Sequence, residues 1–428
     1  MPELTDVPGQ GLATVGPAHH LPFGLLKELD QPGHVFRDIG PNWYASIMGT
    51  GIVAVAGARL PMAVPGLHLF ATAVWALAAT ALIALTVAWA VHWIRYPDRA
   101  RAHAANPVMA QFWGAPPMAL MTVGTAALLL GPGLIGTGAA VTADWVLWSA
   151  GTALGLVTAG WIPYLMMTRH DIGPDAAFGG WLMPVVPPMV SAANGALLIP
   201  HLRPGQGQET LLLACYAMFG MSLIASVIII PLIWGRLVSY KTLPAVMVPT
   251  LWIVLGPLGQ SVTAAGNMGT QAAGVMHAPY AAGAAVFGLL YGVPVWGFAM
   301  LWLALAAAIT LRTARRGLPF ALTWWSFTFP VGTCVTGTIV LAIRSGDEAL
   351  RWASVILYGL LLAAWVIVAV RTARGSVTGR LFCPVPAVPV PAVTVPVIPV
   401  PVITTPAVTV AASADSLPTW PVPAAYPL

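Results

Sequence analysis

Residues 67–94, LHLFATAVWALAATALIALTVAWAVHWI, and residues 111–131, QFWGAPPMALMTVGTAALLLG, contain no Asp, Glu, Lys or Arg. About 20 apolar residues in a helix cross the hydrocarbon of a bilayer, so each stretch is long enough to span one. They differ in one respect. The first has no proline, whereas the second carries Pro116 and Pro117. Working outward, the whole chain of 428 residues has 18 Lys and Arg and 13 Asp and Glu, 7% charged in all, with a mean hydropathy of +0.83. Soluble globular proteins carry roughly 25% charge, because their surface must be covered with it. An ordinary soluble enzyme is excluded, and lipid is the solvent for most of this chain. The net charge of +5 sits in short basic clusters between apolar runs, which points to membrane orientation and not to a nucleic-acid partner.

Spans of this kind are predicted at 42–60, 67–94, 111–131, 144–168, 181–200, 210–235, 245–265, 279–311, 320–343 and 350–370. The fold class expected is an all-α polytopic membrane protein, with ten transmembrane helices as five helical hairpins around a central pore. Arg95, Arg99, Arg101, Arg169, Arg236, Lys241, Arg312, Arg315 and Arg316 fall in connections on one side; Arg59, Arg203, Arg344 and Arg351 fall on the other. With Lys27, Arg37, Arg371, Arg374 and Arg380 in the terminal segments, the split of the 18 basic residues is 14 against 4 if both termini are cytoplasmic. That requires an even number of spans. The expected organisation is a cytoplasmic N-terminal segment at 1–40, a transmembrane domain at 41–375 and a Pro/Val-rich disordered cytoplasmic tail at 376–428. Residues 384–428 hold twelve prolines. Proline at that density removes helix donors, so an apolar run there is extended chain in water and no further span.

Prolines inside the spans alternate. Pro116, Pro117, Pro184, Pro187, Pro188, Pro249, Pro257 and Pro330 fall in odd-numbered spans, and only Pro294 is central in an even one. A proline in a membrane helix frees a carbonyl that must find a partner in protein or a water-filled path, so the odd spans are expected inside and kinked. Polar groups follow helical spacing on the same spans: Asn42, Ser46 and Thr50; Ser191 and Asn194; Gln260 and Ser261; Thr333 and Thr336. With Pro117, Pro188 and Pro257 they form the candidate pore lining; single hydroxyls have the alternative of bonding back to the helix or joining two helices. No acid or base lies mid-span, Asp144, Glu209, Arg344 and Arg351 being read as span ends. Cation carriers and proton pumps need membrane-embedded ionisable groups, whereas an anion path can use helix ends, loosened amides and hydroxyls. His68, His92 and His201, near span ends, are the available proton relays for a coupled alternative.

Other strings carry less. GPGLIG at 131–136 fits a dinucleotide pattern but lacks the strand and helix that would make it one. His170, Asp171 and Asp175 read as a solvated loop, and no metal site is expected. Gly151 with Gly155, and Gly288 with Gly292, permit close helix approach within a protomer or between protomers. Triad constellations are absent, so neither an enzyme nor a cofactor is expected. In WWSFTFP at 324–330, Phe329 precedes Pro330 inside an interior span. A ring there is either a packing residue or a hydrophobic gate that rotates aside.

NWYASIMGTGIVA at 42–54, WLMPVVPPMVSAANGALLI at 181–199, GPLGQ at 256–260 and WWSFTFP together resemble the tellurite-resistance/dicarboxylate transporter family. It includes the fungal malic-acid permease, the fungal sulfite efflux pump and the plant slow-type anion channel. The resemblance covers residues 36–375. It implies ten helices with the five inner ones around a pore, a homotrimer in which each protomer has its own pore, and a pore-occluding phenylalanine at Phe329 beside Pro330. It implies a cell-membrane transporter or channel for a small anion such as malate, sulfite or tellurite, working channel-like; the alternative is a proton-coupled dicarboxylate or sulfite exporter. Its partners are then a small anionic solute and the lipid bilayer.

Overall fold

A computed structural model describes residues 26–29 and 31–383. The tail at 384–428 and most of the lead-in lie outside the described residues. Among the described residues the structure is helical, with no strand. Twelve α-helices follow one another: α1 (Tyr44–Arg59), α2 (Leu67–Arg95), α3 (Pro97–Ala105), α4 (Ala115–Leu130), α5 (Pro132–Ile135), α6 (Thr137–Thr168), α7 (Pro187–Leu198), α8 (Gln206–Tyr240), α9 (Leu255–Val275), α10 (Tyr280–Ala314), α11 (Phe329–Ser345) and α12 (Glu348–Thr378). GPGLIG becomes α5 and its flanks, a turn between α4 and α6.

Eight helical stretches among the described residues are long and apolar enough to cross a membrane: Leu67–Arg95, Met109–Leu130, Thr137–Thr168, Gln206–Tyr240, Ala245–Val275, Tyr280–Ala314, Leu322–Ser345 and Glu348–Thr378. The two remaining predicted spans correspond to α1, of 16 residues, and α7, of 12. At 1.5 Å per residue, 12 residues reach only about 18 Å.

Burial separates two layers. The apolar windows of Met109–Leu130, Ala245–Val275 and Leu322–Ser345 are 78–94% buried, and those of α2, α6, α8, α10 and α12 only 22–28%. α1 and α7 are buried along nearly their whole length. The inner helices close a ring, α1 on α4, α4 on α7, α7 on α9, α9 on α11 and α11 on α1. α2, α6, α8, α10 and α12 pack outside it, each against the inner helix that precedes it. Their outward faces expose Leu69, Ile83, Ile94, Ile224, Leu290 and Ile356, which suits acyl chains and not water. The chain is a membrane protein. Both GxxxG pairs pack within it: Gly151 against Met121 and Pro117 of α4, Gly155 against Pro187, Gly288 against Ala265, and Gly292 against Leu341.

The proline reading needs correction in form. Pro116, Pro117, Pro187, Pro188 and Pro330 do not kink helices midway; they sit in the first turns of α4, α7 and α11, where the missing N–H costs nothing. Each inner helix is preceded by a 3₁₀ stretch, Pro41–Trp43, Met109–Gly114, Gly179–Leu182, Ala245–Val254 and Leu322–Phe327. Prolines within continuous α-helix are Pro163, Pro231 and Pro294, all on outer helices. Asp144 is a second correction. Gly136, at φ +82°, lets α6 begin at Thr137, so Asp144 lies two turns inside the helix and is fully buried.

Candidate functional site: the axial cavity of the inner ring

The 3₁₀ to α junctions lie at one level of the ring. There lies a narrow cavity of only about 20 Å³. Every inner segment contributes to its wall: Ala45 and Met48 from α1; Phe112 and Met118 from the third segment; Met183 and Val186 ahead of α7; Ile253, Gly256 and Pro257 around the start of α9; Leu322, Ser326, Phe329 and Pro330 around the start of α11. Because the N-terminal turns of four inner helices and the segment leading into α7 surround one cavity, the five inner helices run parallel, with their N-termini on the same side. A helix carries about half a positive charge at that end, so the ends add in sign for an anion arriving there. The wall itself is apolar, Ser326 being its only hydroxyl side chain. Such helix ends favour negative charge, and no ionised side chain lines the cavity.

Neighbouring aromatic residues determine which ring of WWSFTFP faces the cavity. Trp325 donates from Nε1 to Thr372 of α12 at 3.1 Å, and Trp324 lies under the Arg371 guanidinium at 4.7 Å. Phe327 meets the edge of Trp252, centroid to centroid 5.1 Å. Phe329, the first residue of α11, is left to line the cavity and is 3% exposed.

The other candidate residues are distributed around the ring. Pro257 and Pro330 line the cavity beside Phe329. Asn42 lies in the 3₁₀ turn before α1. Ser46 donates to Trp43 O, while Thr50 donates to Ser46 O and accepts from Trp365 of α12. Pro117 abuts Gly155 of α6, and Pro188 is buried in the first turn of α7. Ser191 donates to Pro187 O and accepts from Thr152 of α6, and Asn194 reaches Met121 O at 3.4 Å. Ser261 donates to Leu258 O and Thr333 to Pro330 O; Thr336 shares a 2.8 Å hydrogen bond with Thr263, tying α11 to α9. Gln260 is buried on α9. Met48, Phe112, Met118, Met183, Ile253 and Leu322 carry no signal in sequence, where polar groups and prolines are what stand out. On helices apolar all round, only the packing tells which apolar face turns inward.

The family model for the voltage-dependent anion channel SLAC1 matches residues 38–373, from just before the first 3₁₀ turn into α12. The chain belongs to the SLAC1 family. Among relatives of this SLAC1-family chain, an uncharacterised transporter of Methanocaldococcus jannaschii is 28% identical over 360 residues, which cover 84% of this chain and 99% of the relative. The sulfite efflux pump of Trichophyton rubrum is 28% identical over 348 residues, 80% of this chain and 92% of its own. That of Candida albicans is 24% identical over 321 residues, 70% and 65% respectively. SLAC1 membership makes this a transporter-type or channel-type membrane protein for anions, and the match runs through every segment of the inner ring.

Proposed function

We propose that the protein passes small anions along the axis of the inner ring and that the Phe329 ring, beside Pro330, closes this path. The carrying observation is the cavity walled by the N-terminal ends of the inner helices, the segment leading into α7 and Phe329. A path so apolar sheds water when its bore is blocked, and a ring rotation rewets it. The names of the fungal relatives favour sulfite within the anion class; malate and tellurite remain members of the substrate panel. In this reading the ring and its outer partners form ten crossings as five hairpins over residues 41–375. α1 and α7 cross together with their 3₁₀ extensions. Both termini are cytoplasmic, the membrane is the cell membrane, and three protomers assemble with a path each. The proposed lining comprises Pro257, Phe329 and Pro330 at the cavity, with Asn42, Ser46, Thr50, Pro117, Pro188, Ser191, Asn194, Gln260, Ser261, Thr333 and Thr336 on the inner segments around it.

Liposome flux tests this reading. Sulfite should move in preference to potassium, and Phe329→Ala should raise the anion rate about tenfold or more, since each ~1.4 kcal/mol of closure removed is a factor of ten in rate. An unchanged rate removes Phe329 from the gate; cation flux equal to anion flux ends the conduction reading.

One observation favours a second reading, proton-coupled export. Asp144 is fully buried with neither carboxylate oxygen hydrogen-bonded among the described residues, and it faces Gly124 of α4. A membrane-embedded carboxyl without a partner is a place to hold a proton. Coupled export requires that sulfite flux follow a pH gradient in the wild type and lose that dependence in Asp144→Asn.

A further inference from the structure

Arg59 ends α1, and its Nη2 donates to Asn267 Oδ1 on α9 at 2.9 Å. Asn267 donates from Nδ2 to Ala193 O of α7 at 2.9 Å, which sets its amide with the oxygen toward the guanidinium. In the ring α1 lies between α4 and α11, and α9 lies between α7 and α11. Only α11 separates α1 from α9 there, so a bond joining their side chains spans the inside of the ring in front of α11. Arg59 stands 14 positions beyond Ala45 of the cavity wall, which at 1.5 Å per residue is about 21 Å further along the path. The crossing lies toward the opposite mouth from Phe329.

The chemistry of this strap is unbalanced. Among the described residues Arg59 has no ion pair, and the bond to Asn267 is its one hydrogen bond. It keeps accessible surface, while Asn267 is 4% exposed. A guanidinium presents five donors in a planar fork that fits carboxylates and oxyanions, and most of this fork is unused. α9 is braced from behind: Arg344 of α11 donates to Gly266 O at 2.9 Å and to Thr270 Oγ1 at 3.0 Å. Asn267 is therefore a fixed acceptor against which Arg59 swings.

We propose that Arg59 is the anion-binding and charge-selecting group of this path, and that the Arg59–Asn267 strap closes its second mouth when no anion is present. An arriving sulfite or carboxylate takes the fork from Asn267 Oδ1, because an anion offers two oxygens to the planar fork and adds the attraction of opposite charges, whereas the amide offers one neutral oxygen. When the anion leaves, the amide oxygen takes its place and the guanidinium is never left without an acceptor. A cation meets an uncompensated positive charge in a low-dielectric passage and is turned back. This rests on the conduction reading above.

The test is the reversal potential of proteoliposomes under a potassium sulfite gradient, with Phe329→Ala measured alongside. Arg59→Gln should lower the anion-to-cation permeability ratio roughly tenfold or more. Arg59→Lys should keep an anion preference with a higher half-saturating sulfite concentration, because the fork is lost and the charge retained. Asn267→Asp places a charged acceptor against the guanidinium and should lower sulfite flux below the wild-type rate. Arg59→Lys and Asn267→Asp carry the test where Arg59→Gln does not insert. A wild-type permeability ratio in Arg59→Gln, or wild-type flux in Asn267→Asp, overturns the assignment while a raised flux in Phe329→Ala leaves conduction standing. No anion flux from any protein in the series, Phe329→Ala included, removes both.

Discussion

At the scale of single residues, the ring closes because some positions have no side chain. A Cβ on Gly259 of α9 would lie 2.5 Å from the backbone nitrogen of Cys334 and 2.5 Å from the carbonyl carbon of Thr333 on α11. Backbone cannot step aside as a flexible side chain can, so α9 and α11 would have to part at the level of the Thr263–Thr336 hydrogen bond. Gly259→Ala should cost at least the 1–3 kcal/mol typical of overpacking, read as a lower midpoint of thermal unfolding in detergent. Gly274→Ala on the same helix meets nothing within 4 Å and should leave that midpoint in place. Residue identity made some of the site legible and hid the rest. Phe329 and Pro330 stand out in sequence because a large ring beside a proline is conspicuous in an apolar span, and both lie in the cavity wall. The hydroxyls are conspicuous too, but Thr50, Ser191, Ser261, Thr333 and Thr336 each have a carbonyl three or four residues back within reach, and each takes it. Periodicity cannot tell such a bond from a group turned to the path. In sequence Arg59 is a loop charge like any other, since its partner is 208 residues away.

At the scale of elements, the distinction between inner and outer helices was readable from proline placement, whereas the shape of the inner ones was not. The junctions with 3₁₀ segments depend on hydrogen-bond geometry that composition does not encode. The helix α3 is expected to loosen with falling pH. It packs on the end of α2, outside the long apolar helices, and stacks His103 on His92 with ring centroids 5.2 Å apart. Burial, with the neighbouring His92 ring second, pushes His103 down to about 4; Asp38, itself held by Arg37 and Arg99, pulls the other way. Asp38 loses that contest. His103 is therefore neutral in the folded state at pH values where the unfolded chain, at 6.5, has begun to take up a proton. The unfolded state binds more protons between those values, so the contribution is fully present above about pH 6.5 and is lost as pH falls through about 4. Protection factors of the amides over 97–105, in which the intrinsic slowing of exchange in acid is divided out, should fall as pH drops across that window, and His103→Gln should flatten the dependence. Equal slopes in the two proteins would detach the element from this histidine.

At the scale of the whole molecule, the distribution of basic residues and the parallel inner helices make one claim from independent grounds. With both termini cytoplasmic, as proposed, the 14 against 4 split puts the N-terminal ends of the inner helices, and with them the Phe329 cavity, on the cytoplasmic side. The Arg59 end then faces outward. The protein's own cysteines allow the orientation to be measured. Cys215 and Cys334 are buried, and Cys383, just beyond α12, is the partly exposed one of the three. A membrane-impermeant maleimide should leave intact cells unlabelled and should modify inverted membranes once per chain, with the label lost in Cys383→Ser. Gly138 is exposed at the other end, in the first turn of α6, and a Cβ there meets nothing within 4 Å. Gly138→Cys in the Cys383→Ser background should reverse the pattern, labelling in cells and not in inverted membranes. The same label from the same side at both positions would break the hairpin reading of α4 and α6. The exchanged pattern would keep the ring but turn it over, placing the Phe329 closure outside and the Arg59 strap within.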